Sequence, residues 1–286
     1  MRNIDENNIT QAVLARMDGC SNPRLKEILG SLVRHLHDFA REVKLTEAEW
    51  MQGIEFLTAT GHMCDDKRQE FILLSDTLGL SMLTVAMNNA KPAGVTESTV
   101  FGPFHVADAP HVEQGADMSG GATGEPLFVT AKVTDPHGNP VAGADVDVWH
   151  ADEDGLYDVQ RPDLVHHQGR AIFRTDADGS LRFRTVLPVA YPIPTDGPVG
   201  KMLVATGRHP WRPAHIHFMV VATGFERLIT HVFRDGDPYM DSDAVFGVRS
   251  SLIGKFEEHP AGVAPDGSTQ SVPFHTLNFD FVLQPV

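Results

Sequence analysis

Near Lys91-Pro92 the spacing of apolar residues changes from three and four to two, so one chain must build two kinds of element. Upstream the pattern is helical. Asn22-Pro23 supplies an N-cap residue and a proline at the first helical position. Leu25, Ile28, Leu29, Leu32, Leu36 and Phe39 then form one apolar stripe. Thr46 with Glu49 makes a capping box that opens a second helix carrying Trp50, Ile54 and Leu57. A third helix is expected from about Asp66 to Asn88, through Phe71, Leu74, Leu78 and Met82. Downstream, Leu127, Val129, Ala131 and Val133 alternate with Phe128, Thr130 and Lys132. Dense turn signals at 135–140, 152–155 and 176–179 separate further short runs, and 116–125 reads as a loop. Short strands at such spacing indicate an antiparallel sandwich or barrel, and a β-sandwich is the reading adopted. The expected fold is therefore mainly β with an α-helical N-terminal region. The expected division is 1–108 helical and 109–286 β-sandwich, the sandwich carrying the chemistry.

Composition narrows the function. A formal charge of −15 argues against nucleic-acid or anionic-membrane surfaces, which need clustered Lys and Arg. Two cysteines, Cys20 and Cys64, build neither a disulfide framework nor an all-thiolate metal site. The polar, acidic Met1–Thr10 stretch lacks the features of a signal peptide. No apolar run approaches the roughly 20 residues a membrane helix needs. A soluble cytoplasmic protein is the expectation.

Arg212-Pro213-Ala214-His215-Ile216-His217-Phe218 holds the most pointed chemistry. On a strand His215 and His217 share a face, while Ile216 and Phe218 turn to the opposite one. The pair suits one metal ion, but two ordinary strand histidines fit the spacing as well. Tyrosine occurs only three times, as Tyr157, Tyr191 and Tyr239. A hard, highly charged ion such as ferric iron can strip the phenol proton, so phenolate plus imidazole forms a ferric donor set. Taken singly, each tyrosine reads equally as packing.

The combination resembles a known family. Val-Thr-Asp-Pro-His-Gly-Asn-Pro at 133–140, continuing through Asp-Val-Asp-Val-Trp-His-Ala-Asp at 145–152 to Gly155-Leu156-Tyr157, is similar to the signature of the intradiol ring-cleavage dioxygenases. So is Tyr191-Pro192-Ile193-Pro194 followed by the His-x-His. The likeness spans essentially the whole chain. It implies that Tyr157, Tyr191, His215 and His217 bind a non-haem Fe(III), and it leaves Tyr239 outside the ligand set. Arg68 to Gly79, Glu97 to Val100, Gly102-Pro103-Phe104, Tyr191 to Gly200 and Gly207 to Arg212 most resemble family members acting on hydroxyquinol, 1,2,4-trihydroxybenzene. Phe101 stands where a smaller aliphatic residue is expected, and His105 where Phe or Tyr is expected.

The resemblance further implies cleavage of hydroxyquinol by O2 between its ortho hydroxyls to give maleylacetate, with catechol as the rival substrate. Tyr191 would leave the metal when substrate binds and accept a proton. Arg212, on spacing alone either a strand-end arginine or a fixed charge at the site, would stabilise negative charge on the ring. Leu73 and Asp76, i and i+3 on a helix, would lie over the site, with Asp76 accepting a hydrogen bond from the third hydroxyl. Val100, Phe101, Gly102, Pro103, Phe104, Ile193, Pro194 and Val245 would complete an aromatic-binding wall. The helical region would mediate a homodimer, a likeness that extends to a phospholipid held at the interface. His231 reads as a structural strand histidine. Two other classes stay open on the residues alone: a transthyretin-like binding module, and a zinc hydrolase using His215 and His217.

Overall fold

The computed structural model describes residues 2–65 and 68–286, so Asp66, where the third helix was expected to begin, lies outside the described residues. Packing divides the chain into two units, 1–59 and 60–286. The first contains α1 (Ile9–Ala15), α2 (Pro23–Glu42) and most of α3 (Glu47–His62). Both expected helix starts form as the residues dictate. Asn22 Oδ1 accepts the Leu25 N–H at 3.0 Å, and Pro23 is the first helical residue. Glu49 accepts the Thr46 N–H at 2.9 Å while Thr46 Oγ1 accepts the Glu49 N–H at 3.3 Å, closing the capping box. The apolar stripe of α2 does not become core: Leu25, Ile28, Leu29, Leu32, Leu36 and Phe39 are each 38–54% exposed.

Residues 60–108, grouped with the helices from sequence, pack with the sheets instead. The stretch expected as one helix to Asn88 is two, α4 (Glu70–Thr77) and α5 (Leu80–Asn88). Gly79 takes the left-handed conformation, φ 77°, and the helix cannot run through it. Backbone contacts explain why the segment joins the second unit. The buried Glu70 side chain accepts the Val199 N–H at the start of α6 (Pro198–Ala205). Thr99 donates through N to Ile229 and through Oγ1 to Gly247. No single helix among the described residues is long and apolar enough to cross a membrane.

Two five-stranded sheets form the sandwich. The first holds β1 (Pro126–Thr134), β4 (Ser180–Val186), β10 (Phe256–His259), β13 (Phe274–Asn278) and β14 (Phe281–Val282). The second runs β3 (Arg170–Arg174), β2 (Asp145–Trp149), β7 (His215–Val221), β8 (Leu228–Arg234), β9 (Ile253–Gly254). Short pairs β5 (Tyr191–Pro192) with β6 (Trp211–Arg212), and β11 (Gly262–Val263) with β12 (Thr269–Gln270), flank them. Most pairings are antiparallel, as the turn-rich sequence suggests, but the chain's return adds parallel contacts of β13 and β14 with β1 and of β9 with β8.

The period of two decides what each face carries. Leu127, Val129, Ala131 and Val133 of β1 meet Val146, Val148, Ile216, Phe218, Val220 and Val232 in one buried core. The alternate residues of the second sheet therefore face outward from that core. They are Trp149 on β2, His215 and His217 on β7, and His231 and Phe233 on β8. The register sets Trp149 against His217, and His217 against His231. This outer face is nevertheless buried, because the 97–108 segment, the Tyr157 turn and β5–β6 cover it. The covered side of the second sheet is where the polar chemistry collects.

Candidate metal centre

Four donor atoms from three separate parts of the chain meet on this face. Tyr157 Oη lies 2.9 Å from His217 Nε2 and 3.2 Å from Tyr191 Oη. His217 Nε2 lies 3.2 Å from His215 Nε2. The side chains are 0–4% exposed. With metal–donor bonds near 2 Å, neighbouring donors around one ion lie about 3 Å apart, the spacing seen here. The residues expected from sequence as ligands are thus brought together.

Local structure fixes each of them. Tyr157 precedes a single 3₁₀ turn (Asp158–Gln160) and its N–H is bound by the Gln160 side chain at 3.0 Å. Asp158 pairs with the buried Arg170 of β3, which anchors that turn to the sheet. Gly155 lets the two tyrosine segments touch: a Cβ there would approach Tyr191 Cβ to 2.8 Å. Tyr191 pairs with Arg212 across β5–β6, so one short ladder delivers a phenol and a guanidinium together. His215 Nδ1 donates to the Pro213 carbonyl at 2.7 Å, which leaves the Nε2 lone pair directed at the other donors. Behind His217, the Trp149 ring stacks at 4.7 Å.

The electrostatics suit neutral imidazoles and a cation-requiring phenol. Burial, reinforced by the Arg212 guanidinium, pulls His215 down to about 3. Burial, with the charge of neighbouring histidines, likewise pushes His217 well below the usual histidine range. Burial, then the neighbouring Tyr191 phenol, lifts Tyr157 well above the usual phenol range, so its ionisation awaits a bound positive charge. Buried atoms without partners include His217 Nδ1 and both ring nitrogens of His231. Two phenols and two lone-pair imidazoles fit a hard ion such as iron; no thiolate lies among them.

Arg212 is 3% exposed and bridges two groups of residues. Nη1 donates toward Tyr191 Oη at 3.4 Å and His215 Nε2 at 3.2 Å. Its other edge grips Asp243 through Nε at 3.0 Å and Nη2 at 3.4 Å. Burial works against the charge of this guanidinium, but Asp243, followed by the neighbouring Tyr191, more than offsets it, and the group stays charged. Asp243 also accepts the Val245 and Gly247 N–H groups. Asp76, 4% exposed on α4, lies within the field of Arg212; burial raises its carboxyl, and Ser81 and Arg212 oppose that rise.

The expected wall residues divide. Leu73, Pro103, Phe104 and Pro194 line a cavity of about 220 Å³, and Phe104 stacks on Tyr157 at 4.4 Å, so the cavity abuts the donors. Gly102 lies against the His217 ring, where a Cβ would approach to 3.0 Å. Val100, Ile193 and Val245 are buried. Phe101 is 39% exposed and rests on His105 and Trp149, beside the cavity's lining residues and not among them. His105 binds Asp147 at 2.7 Å, which pins the wall segment to β2. Tyr239 stacks on Trp211 instead of joining the donors.

Sequence reasoning missed Asp243, Trp149 and His231. The His231 imidazole lies with those of His215 and His217, their donor atoms all within 4.8 Å of one another. Alternation on β8 puts His231 on the same face as Phe233, but only strand register reveals that it opposes His217.

Comparison with known proteins agrees with this geometry. Residues 22–96 match the family model described as catechol dioxygenase N terminus, and residues 100–285 match that described as dioxygenase. The chain is 61% identical to 6-chlorohydroxyquinol 1,2-dioxygenase of Cupriavidus pinatubonensis over 100% of this chain and 99% of the relative. It is 54% identical to hydroxyquinol 1,2-dioxygenase of Corynebacterium glutamicum, covering 98% and 94% respectively. Among solved structures, hydroxyquinol 1,2-dioxygenase from Pseudomonas putida DLL-E4 superimposes with a TM-score of 0.91 at 48% identity, over 98% of this chain and 99% of that one. The fold, the buried donor set and these relatives together place the chain in the intradiol ring-cleavage dioxygenases.

Proposed function

We propose that the chain cleaves hydroxyquinol with O2 between its two adjacent hydroxyl-bearing carbons, giving maleylacetate. Both oxygen atoms enter the product, so the reaction needs no external reductant. The observation that carries this reading is the convergence of Tyr157, Tyr191, His215 and His217 within 3.2 Å steps beside an apolar cavity. These four residues would hold Fe(III), which when bound supplies Lewis-acid chelation of the two ortho oxygens and makes the ring reactive toward O2.

The chain's own groups do the rest. Tyr191, hydrogen-bonded by Arg212, is placed to take a hydroxyl proton from the arriving ring. Arg212 keeps a fixed positive charge where the ring becomes electron-rich, and Asp243 prevents it from swinging away. Leu73, Pro103, Phe104 and Pro194 exclude water from the ring faces. Asp76 offers a buried carboxylate to the third hydroxyl, whose donated hydrogen bond offsets the cost of burying that charge.

The 61% identical relative named for a chlorinated hydroxyquinol favours extending the substrate class to ring-halogenated trihydroxybenzenes. Oxygen uptake with hydroxyquinol, 6-chlorohydroxyquinol and catechol checks the assignment. Both trihydroxylated rings are expected to be preferred over catechol by about tenfold or more in kcat/KM, the worth of one hydrogen bond to a charged group. Equal rates, or catechol preferred, would overturn the substrate choice.

We also assign the exposed stripe of α2 to contact with a second copy of the chain. Six large apolar side chains left 38–54% exposed form a larger continuous face than a monomer usually shows to water. Sedimentation at micromolar concentration is expected to give twice the 31.3 kDa chain mass. A monomer that persists at high concentration would defeat it.

A further inference from the structure

Arg208 lies outside the donor set, yet its one guanidinium reaches both sides of the substrate site. Nη1 donates to the Thr77 carbonyl at 2.6 Å and Nη2 to the Ala244 carbonyl at 3.0 Å. Thr77 ends α4 and directly follows Asp76; Ala244 directly follows Asp243, which grips Arg212. The carboxylate assigned to the third hydroxyl and the carboxylate that holds Arg212 therefore each sit one residue from a carbonyl bound by Arg208. Phe246 completes the clamp. Its backbone is left-handed, φ 60°, a conformation rare for a bulky side chain and costly to hold. That bend lays the ring under Arg208, 5.2 Å from the guanidinium carbon, and against Gly79, where a Cβ would stand 3.6 Å from it. The clamp is not core. Phe246 is 52% exposed and Arg208 is half-buried, and both line, with Asp243, a cavity of about 510 Å³.

We propose that Arg208 is a positioning residue which sets the spacing between Asp76 and Arg212, and with it the preference for a ring bearing a third hydroxyl. This role deepens the substrate reading above and rests on it. Arginine suits the task because its planar fork holds two carbonyls at a fixed separation, and its charge favours the carbonyl end of a helix. Its loss would not act evenly on the two sides. The turn after Asp243 stays tied to β6, through the Ala244 N–H on the Trp211 carbonyl and through the Asp243–Arg212 pair. The end of α4 loses the hydrogen bond at Thr77, and Asp76 shifts with it. A hydrogen bond tolerates little displacement, since it weakens steeply with length and angle. Catechol has no third hydroxyl for Asp76 to hold, so of the two charged groups it needs Arg212 alone.

Iron-loaded wild type, Arg208→Met and Arg208→Lys are compared on hydroxyquinol and catechol, by oxygen uptake and by anaerobic titration of the visible absorption. Arg208→Met removes both donors; Arg208→Lys keeps the charge but cannot span two carbonyls. All three proteins are expected to show the same tyrosinate-to-iron band before substrate is added, which reports an intact fold and donor set. In Arg208→Met the hydroxyquinol-to-catechol ratio, in kcat/KM and in affinity alike, is expected to fall about fivefold, most of what one hydrogen bond to a charged group supplies, while catechol alone changes by less than about twofold. Arg208→Lys is expected to fall by a similar factor. An unchanged ratio in Arg208→Met, or an equal loss on both substrates, would show that Arg208 only supports the fold and overturn the proposal. A wild-type ratio in Arg208→Lys would show that charge alone suffices and overturn the clamp. A bleached or shifted band in either variant would place the effect at the donors and overturn it too. Should Arg208→Met fail to fold, Arg208→Gln is read in the same way. A wild type with no preference for hydroxyquinol overturns the substrate reading and this role with it; a wild-type preference that survives in Arg208→Met overturns this role alone.

Discussion

Tyr157→Phe should abolish the broad visible absorption of the iron-loaded protein, or shift it strongly, and lower kcat/KM by at least about a hundredfold. Loss of a hydrogen bond to a ligand already costs 10–100-fold in affinity or activity, and here a donor itself is removed. The substitution deletes one oxygen from a side chain that is 0% exposed and packed between Phe104 and Tyr191, so the fold should survive. The pH dependence carries the sharper test. Burial holds the Tyr157 proton on in the metal-free protein, and a bound cation must expel it. The bound form thus carries one proton fewer, so iron affinity should rise with pH and fall as acid is added. Tyr157→Phe has no such proton to lose. Iron retention against a competing chelator, measured across pH, should therefore have a slope shallower by about one proton per ion. A band of full intensity in the variant, or an unchanged slope, would remove Tyr157 from the ligand set.

The two halves of the donor set differed in how readily the sequence showed them. His215 and His217 were legible because a strand has a period of two: Ile216 and Phe218 had to enter the core, and the histidines were left to the other face. Tyr157 and Tyr191 lie on a 3₁₀ turn and a two-residue strand, where no periodicity exists to read. They came from likeness to a family, not from pattern. Asp243 and His231 were hidden for another reason. Each reaches the site through long-range pairing, Asp243 across 31 residues to Arg212 and His231 through the register of β8 on β7. Alternation within one strand says which face a residue takes, never which residue stands opposite. The helix break at Gly79 shows the converse limit, since apolar spacing continues from Leu74 to Met82 through a residue whose backbone ends the helix.

Arg212→Met is expected to lose activity and stability together, and a second substitution should pull the two apart. In the wild type both Arg212 and Asp243 are almost wholly buried, 3% and 2% exposed at the side chain. Removing the guanidinium strands a carboxylate in the protein interior, and breaking such a pair from one side costs about 3–5 kcal/mol. The Val245 and Gly247 N–H groups still bind Asp243, which places the loss toward the lower end of that range. Arg212→Met/Asp243→Asn removes the stranded charge while the amide oxygen keeps a backbone partner, so most of the stability should return in urea denaturation. The activity should not return. Nothing else among the described groups stands as Nη1 does, 3.4 Å from Tyr191 Oη and 3.2 Å from His215 Nε2. Loss of a preorganised charge facing the reacting ring costs about 100–1000-fold in kcat. Arg212→Lys should recover little, because one ammonium cannot hold Asp243 with one edge and face the tyrosine with another. If the double variant regained both stability and turnover, Arg212 would be a structural counter-ion to Asp243 and no part of the chemistry. If stability returns alone, the charge that Asp243 holds in place acts on the substrate.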